Sequence, residues 1–181
     1  MIPRLQEKYF KEVIPALKEK FGVKNVMALP RLQKIVVNMG VGEAINDIKA
    51  IEAAMSEMET ITGQKPVMSR SKTAISNFKL RKGLPIGCKV TLRRTKMYEF
   101  LDRFVNVSLP RIRDFNGVSR NSFDRFGNYS IGISDQAIFP EVESGRITRA
   151  QGMDITFVFN GKPKEQTMEL MRLLGMPFQK A

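Results

Sequence analysis

Four short segments of this chain alternate apolar and polar residues, and that alternation limits the possible folds more than any other feature. The segments are Lys34–Met39, Gly87–Arg94, Asn128–Ser134 and Met153–Phe159. Because successive side chains of a strand point to opposite faces, each segment predicts a β-strand with one buried side and one open side. The predicted core side carries Ile35, Val37, Cys88, Val90, Leu92, Tyr129, Ile131, Ile133, Met153, Ile155, Phe157 and Phe159. The opposite side is small, hydroxylic and basic, and it includes Lys34, Asn38, Lys89, Thr91 and Arg93.

Helices are predicted before and between these strands. The first runs from Pro3 to Phe21, and Pro15 is expected to kink or split it. The second follows an N-cap at Asn46 or Asp47 and ends at Gly63. Its expected buried stripe is Ile48, Ile51, Met55, Met58 and Thr62.

Two more helices complete the pattern. Thr95 is a candidate cap for a helix that ends at Pro110, and a last helix opens at Pro163 and closes before Gly175. The apolar face of the earlier helix is expected to be Met97, Phe100, Leu101, Phe104 and Val107. Strands dispersed among helices predict an α+β fold with a mostly antiparallel sheet, helices packed on one face, and the other face open and basic.

Length and composition favour one soluble domain. A chain of 181 residues with 43% hydrophobic content is long enough to bury one core, so we predict a single domain over residues 1–181. The sequence contains no apolar run of membrane-spanning length and no apolar leader at its start. The single cysteine, Cys88, cannot form a disulfide within the chain, which fits a reducing compartment. We therefore expect a cytoplasmic protein with no membrane partner.

The residue types needed for catalysis are scarce. The chain has no His, which removes the commonest general base and metal ligand, and with one Cys a zinc site is practically excluded. Carboxylates that acid–base chemistry would need lie among arginines in predicted loops, where solvated or salt-bridged surface is the better interpretation. They are Asp114, Asp124, Asp135, Glu141 and Glu143. We expect no catalytic site, no metal and no cofactor.

The segment Met39–Ala44 (MGVGEA) lies between a strand and a helix, which is the position of a dinucleotide-binding fingerprint. Ile45 occupies the position of the third glycine, so the close helix–sheet packing that this glycine permits is missing. Nucleotide binding is therefore a weak hypothesis here.

The positive charge is concentrated in the middle of the chain. Residues 60–98 contain ten Lys or Arg and no Asp or Glu, so they supply +10 of the formal net charge of +12. An acid-free basic stretch of this length is typical of polyanion binding. Within it, Ser69–Gly83 reads as an extended loop, here called the basic arm, between a short strand around Val67 and the next strand.

The basic arm mixes cations with groups that recognise nucleotides. Cations neutralise phosphates, and an aromatic ring stacks on a base, so the arm is a candidate RNA contact instead of a merely solvated loop. Its candidate residues are Arg70, Lys72, Asn77, Phe78, Lys79, Arg81 and Lys82. The segment Arg111–Arg125 also contains arginines and Phe residues, but its aspartates make a protein-contacting or self-bracing loop equally consistent with the sequence.

Several long blocks of the sequence resemble the bacterial family of large-subunit ribosomal protein five. They include KIVVNMGVGEA, ITGQKPVMSRSKTAISNFKLRKGLPIGCKVTLRR, LPRIRDFNGV, NSFDRFGNYSIGI, QGMDITFVF and LLGMPF, in the family's order. The resemblance implies a structural constituent of the large ribosomal subunit that binds 5S rRNA and helps attach it to the large rRNA in the central protuberance. It also implies that the protein works in the cytoplasm, within the ribosome, and is not an enzyme.

The resemblance carries over to particular residues. Asn38, Gln64, Thr91 and Arg93 match the family's 5S-contacting positions, and the alternation places all but Gln64 on the open side. The basic arm resembles a loop that reaches the peptidyl-site tRNA. Neighbouring 5S-binding ribosomal proteins, and a small-subunit head protein across an intersubunit bridge, are the further partners that the family implies.

Two other functions are compatible with the residues alone. One is a free-standing RNA chaperone, which would exchange RNA freely, whereas a ribosomal protein would stay with large subunits. The other is a metal-dependent nuclease or phosphotransferase, but Asp154 is the only acidic residue that the alternation places on the open side.

Overall fold

The computed structural model describes residues 2–45, 47–142, 150–161 and 163–179. Within these residues, five strands form one sheet in the order β2-β3-β1-β5-β4. The strands are β1 (Leu32–Gly40), β2 (Val67–Arg70), β3 (Pro85–Leu92), β4 (Tyr129–Ile133) and β5 (Met153–Phe159). The helices are α1 (Arg4–Lys8), α2 (Ile14–Phe21), α3 (Ile48–Thr62), α4 (Arg94–Arg103) and α5 (Lys164–Leu173). The predicted α+β fold with an antiparallel sheet is confirmed.

The strands bury the side that alternation predicts. Cys88, Val90 and Leu92 of β3 are at most 2% exposed, whereas Lys89 between them is exposed. β5 and β1 show the same alternation. Removing such apolar side chains from water stabilises the fold by roughly 1.5 to 3 kcal/mol each.

The chain folds into two compact units. The first contains Met1–Ile35, Leu92–Ile131 and Thr156–Ala181, and the second contains Val36–Thr91 and Gly132–Ile155. In the first unit, aromatic rings form the centre of the core, with Phe104 and Phe157 6.0 Å apart between ring centroids and Phe123 and Tyr129 4.7 Å apart. The prediction of a single domain over the whole chain stays a prediction.

The first predicted helix forms two α-helices, α1 and α2, and Pro15 lies in the first turn of α2. A π-helical turn, Tyr9–Val13, joins α1 to α2, and the Ile14 N–H donates to the carbonyl of Tyr9. Proline lacks an N–H and its ring crowds the preceding turn, so a wider turn lies where regular α-helical bonding would be disrupted. The helix is therefore divided into two short α-helices, as the proline predicts, but the π-helical turn lies just before Pro15 instead of at it.

α3 begins and ends where the sequence predicts, but part of its buried stripe differs. The Asp47 side chain caps the helix by accepting from the Lys49 N–H, and Gly63 closes it in the left-handed conformation. Ile51 and Met58 are buried as predicted. Ile48 is 63% exposed, because at the first position of the helix its side chain points away from the core; Ala54 and Ile61 are buried instead.

The helix that begins with α4 differs from its prediction at both ends. Its N-cap is Arg93, without a side-chain hydrogen bond, so the proposed cap at Thr95 is wrong. A second π-helical turn, Phe104–Ser108, follows α4. The extra residue in that turn moves the buried face from Val107, which is 40% exposed, to Ser108 and Leu109.

Candidate nucleic-acid interface

In the second unit, the open side of β1 and β3 carries three of the predicted RNA-binding residues. Asn38 of β1 and Lys89 of β3 are exposed, and Thr91 of β3 is half-buried. The two strands are neighbours, and they approach closely because position 87 is glycine. A Cβ at Gly87 would lie 2.5 Å from the carbonyl oxygen of Met39. The tight pairing fixes which side chains face outward on both strands.

Gln64 joins this group through a direct contact. Its Nε2 donates to the backbone carbonyl oxygen of Thr91 at 3.3 Å. Thr62 supports the turn that presents it: the Thr62 hydroxyl donates to the Met58 carbonyl at 2.7 Å and accepts from the Gln64 N–H at 3.4 Å. Two positions that the family resemblance marks, distant in sequence, are therefore held together by a hydrogen bond.

The other two predicted sheet residues belong to the first unit. Lys34 is half-buried on the open side of β1. Arg93 follows the last residue of β3 with extended backbone and an exposed side chain. The open side of the same unit also carries a hydroxyl pair, in which Ser130 and Thr156 lie 3.1 Å apart.

The basic arm is a hairpin with two sets of backbone hydrogen bonds. At its base, β2 and β3 pair antiparallel, the Gly83 N–H donates to the Ser71 carbonyl, and the Ser71 N–H donates to the Leu84 carbonyl. Near its tip, Ile75 and Leu80 exchange both N–H···O bonds, at 3.0 and 3.1 Å. Sequence reasoning missed this local support, because hydrogen bonds between backbone groups leave no mark on residue type.

The predicted arm residues lie on the outside of this hairpin. Phe78 is 67% exposed at the tip, next to Asn77, which is exposed as well. The guanidinium of Arg70 donates to the Gly83 carbonyl at 3.1 Å, so this cation braces the base of the arm. The remaining cations of the arm are exposed and form no ion pair within the described part of the chain; they are Lys72, Lys79, Arg81 and Lys82.

Carboxylates considered for catalysis have structural partners. Asp135 caps a short 3-10 turn by accepting from the Ala137 N–H at 2.8 Å. Asp114 lies 3.7 Å from the Arg113 guanidinium, and Asp124 accepts three hydrogen bonds within a tight turn. Glu143 lies outside the described residues.

The described residues offer neither a cluster of metal ligands nor a reactive thiol. Across the ranges that the structure describes, no three acidic, Cys or His side chains cluster as metal ligands would. Burial first, and then the charge of Glu57, raise the pKa of Cys88 to about 11, so its thiol is protonated at neutral pH. The Gly42–Ile45 segment forms a 3-10 turn instead of opening directly into a helix.

Among the helices of the described ranges, none combines the length and the apolar composition that crossing a bilayer requires.

A sheet that buries one side and carries basic and amide groups on the other, together with a cationic hairpin, is typical of a structural nucleic-acid-binding protein. The family described as ribosomal protein L5 matches residues 25–81, and the family described as ribosomal L5P family C-terminus matches residues 85–178. The chain therefore belongs to the ribosomal protein L5 family, whose members are structural components of the ribosome and not enzymes.

Similar proteins from clostridia span nearly the same length. The large ribosomal subunit protein uL5 of Clostridium acetobutylicum is 58% identical over 178 residues, which cover 98% of this chain and 99% of that protein. The proteins of the same name from Clostridium tetani and Clostridium botulinum are also 58% identical over 178 residues. The chain is accordingly a ribosomal protein of the large subunit.

Proposed function

We propose that this protein binds 5S rRNA through the open side of its sheet and helps attach that RNA to the large rRNA in the central protuberance. The residues assigned to 5S rRNA are Lys34, Asn38, Gln64, Lys89, Thr91 and Arg93. The observation that carries the proposal is the hydrogen bond from Gln64 to the Thr91 carbonyl. This bond joins two positions that match the family's 5S-contacting residues, and Thr91 lies on β3, whose open side also carries Lys89.

The chemistry of this surface suits RNA. Asn38 and Gln64 offer amide donors and acceptors for base edges or ribose hydroxyls, and Thr91 offers a hydroxyl group. Lys89 and Arg93 supply phosphate contacts, which position a nucleic acid without specifying its sequence. Because the Gln64 Nε2 already donates to the protein, its Oε1 atom is oriented before RNA arrives, so less side-chain entropy is lost on binding.

The basic arm is assigned a different target, the peptidyl-site tRNA. Phe78 stands at the tip of a hydrogen-bonded hairpin, where its ring is accessible for stacking on a nucleotide. The surrounding cations lower the cost of approaching a phosphate backbone. We assign the contact to Arg70, Lys72, Asn77, Phe78, Lys79, Arg81 and Lys82.

The remaining partners follow from the place of the family in the ribosome. They are the large-subunit rRNA, neighbouring 5S-binding ribosomal proteins, and a small-subunit head protein across an intersubunit bridge to which other loops contribute. As a ribosomal protein of the large subunit, the chain works in the cytoplasm, in the ribosome.

Exchanging Thr91 and Arg93 together for Ala tests the 5S site. Each lost hydrogen bond that involves a charged donor is worth roughly 1.5 to 3 kcal/mol, so 5S affinity should fall at least about tenfold. The slope of log affinity against log salt should become shallower by about 0.7 to 0.9, since one phosphate contact is lost. Gel-shift titrations at several salt concentrations measure both quantities.

A matched control removes one hydroxyl and one cation elsewhere. Thr60 and Lys11 are both exposed on helical surface, so the variant Thr60→Ala with Lys11→Ala should keep wild-type 5S affinity. Equal affinity of the two double variants, with intact circular dichroism, would remove Thr91 and Arg93 from the RNA site. A wild-type protein that exchanges freely between RNAs and does not cosediment with large subunits would point to a chaperone.

A further inference from the structure

The turn from Asp124 to Asn128, here called the Asp124 turn, is tightly braced within the first unit. The Asp124 carboxylate accepts from the Phe126 N–H at 2.8 Å, and from the Asn128 N–H and Nδ2 at 2.7 Å each. The Gly127 N–H donates to the Asp124 carbonyl, and Gly127 adopts a φ of 76° that favours glycine. The Asn128 Oδ1 accepts from the Phe159 N–H, which ties the turn to β5.

These bonds also account for the ionisation state of Asp124. Burial alone would raise its pKa, but the hydrogen bonds from Asn128 and Phe126 outweigh that effect and hold the pKa below its ordinary value. The carboxylate is thus charged at neutral pH and is directed at the backbone of its own turn. Its interactions lie within the protein, as expected for a self-bracing loop.

The braced turn presents an aromatic ring and a cation to solvent. Phe126 is 68% exposed, more than any other large apolar side chain of the described residues except Met27. Arg125, directly before it, is exposed and makes no ion pair within the described ranges. A rigid turn that leaves a phenyl ring in water gives up favourable burial, so the ring is better explained as a contact group than as part of the core.

The charge around the turn favours an anionic partner. Arg120 is exposed and likewise without an ion pair in the described part of the chain. The Lys164 ammonium lies 5.9 Å from the centroid of the Phe123 ring, one residue before Asp124. Asp114, the other acidic residue of this segment, lies beside Arg113. The exposed cations are therefore left without a matching number of carboxylates.

We propose that the Asp124 turn is a second RNA contact, in which Phe126 stacks on an unpaired base while Arg125 and Arg120 bind the adjoining phosphates. The inference rests on the proposed function, since it takes RNA as the partner, but it uses none of the residues assigned there. An unpaired base is required because a base within a duplex has no free face for a ring to cover. The chemistry of a flat ring beside guanidinium groups matches a nucleotide at both its base and its phosphate.

The test uses the full-length protein and a single-stranded RNA decamer with 2-aminopurine at its centre, whose fluorescence is quenched by stacking. Both the reference protein and the variants carry Phe78→Ala, so that the arm contributes no ring. In this background Phe126→Ala should lower decamer affinity about tenfold, the loss typical of one base–aromatic stack, and remove most of the quenching. Phe126→Tyr, which keeps the ring, should retain both signals.

Two further variants separate the ring from its support. Val107→Ala removes another exposed apolar side chain of the same unit and should change neither signal. Asp124→Asn keeps the ring but weakens the bracing, so quenching should fall less than with Phe126→Ala. Unchanged affinity and quenching in Phe126→Ala overturn the proposal. The proposal is also overturned if Phe126→Ala binds the decamer normally but fails to join large subunits, because the ring would then contact a protein instead of RNA.

The same proteins, titrated with 5S rRNA, keep this inference distinct from the proposed function. Loss of decamer quenching in Phe126→Ala alongside normal 5S affinity supports a separate RNA contact. A reference protein that does not bind 5S rRNA at all would remove the proposed function while leaving the quenching result interpretable on its own.

Discussion

Lys89 and Thr91 of β3 and the basic arm belong to the second unit, and both regions expose cations, yet they are held in different ways. On β3, Lys89 and Thr91 alternate with Cys88, Val90 and Leu92, which are at most 2% exposed, so packing fixes their outward direction. In the arm, residues 72–79 are all exposed, and backbone hydrogen bonds provide the support. Side-chain packing holds the strand residues in one orientation, whereas a hairpin supported only by backbone hydrogen bonds can extend away from the core.

The core side of β3 should give the largest effect on stability. Leu92 is fully buried, so Leu92→Ala should lower the free energy of unfolding by roughly 2 to 5 kcal/mol. Arg93→Ala, one residue away and exposed, should change it by no more than about 0.5 kcal/mol. Urea denaturation measures both. The reverse result would mean that the strand is out of register by one residue.

Thiol chemistry offers a second comparison between the strand and the arm. Cys88 is buried with a pKa of about 11, whereas a cysteine introduced by Ser76→Cys at the exposed arm tip should have an ordinary pKa of about 8.5. At pH 8 the arm thiol should react with a disulfide reagent at least about a hundredfold faster, because it is both ionised and accessible. Similar rates for the two thiols would show that β3 opens readily.

The raised pKa of the Cys88 thiol should make the stability of the protein depend on pH. The pKa of Cys88 is higher in the folded protein than in the unfolded chain, so the unfolded chain ionises first as pH rises. The contribution of Cys88 is fully present below about pH 8.5 and should be lost as pH rises toward about 11. Cys88→Ala should flatten the curve of unfolding free energy against pH in that window. An unaltered curve would contradict the raised pKa of Cys88 in the folded protein.

Shortening the arm should have the smallest effect on 5S binding. Because Gly83 already donates to the Ser71 carbonyl, Asn-Gly in place of residues 72–82 would leave a two-residue hairpin that keeps this bond. Affinity for 5S rRNA should stay within a few-fold of wild type, while placement of peptidyl-site tRNA should be impaired in a translation assay. Abolished 5S binding would place the arm in the primary site.

Sequence reasoning worked well where a residue's neighbours in sequence are also its determinants in space. The buried side of β1, β3 and β5, the Asp47 cap and the Gly63 stop all depend on local periodicity or on one residue. It failed at Val107, where a π-helical turn changes the period that the prediction assumes. The prediction that Ile48 is buried failed for a related reason. The first turn of a helix buries its apolar side chains only if the core extends that far.

Alternation and charge along the chain were enough to predict the class of fold, the outward direction of Asn38, Lys89 and Thr91, and the strongly basic character of residues 60–98. These follow from alternation and from charge, which are properties of the chain before it folds.

Three features became visible only in the folded chain. Gln64 donates to the Thr91 carbonyl, Ile75 and Leu80 pair near the tip of the arm, and Asp124 accepts from the backbone of its own turn while Phe126 stays exposed. Each depends on distances between backbone groups or between segments that are far apart in the sequence. Residue types alone do not specify those distances, which are set when the chain packs.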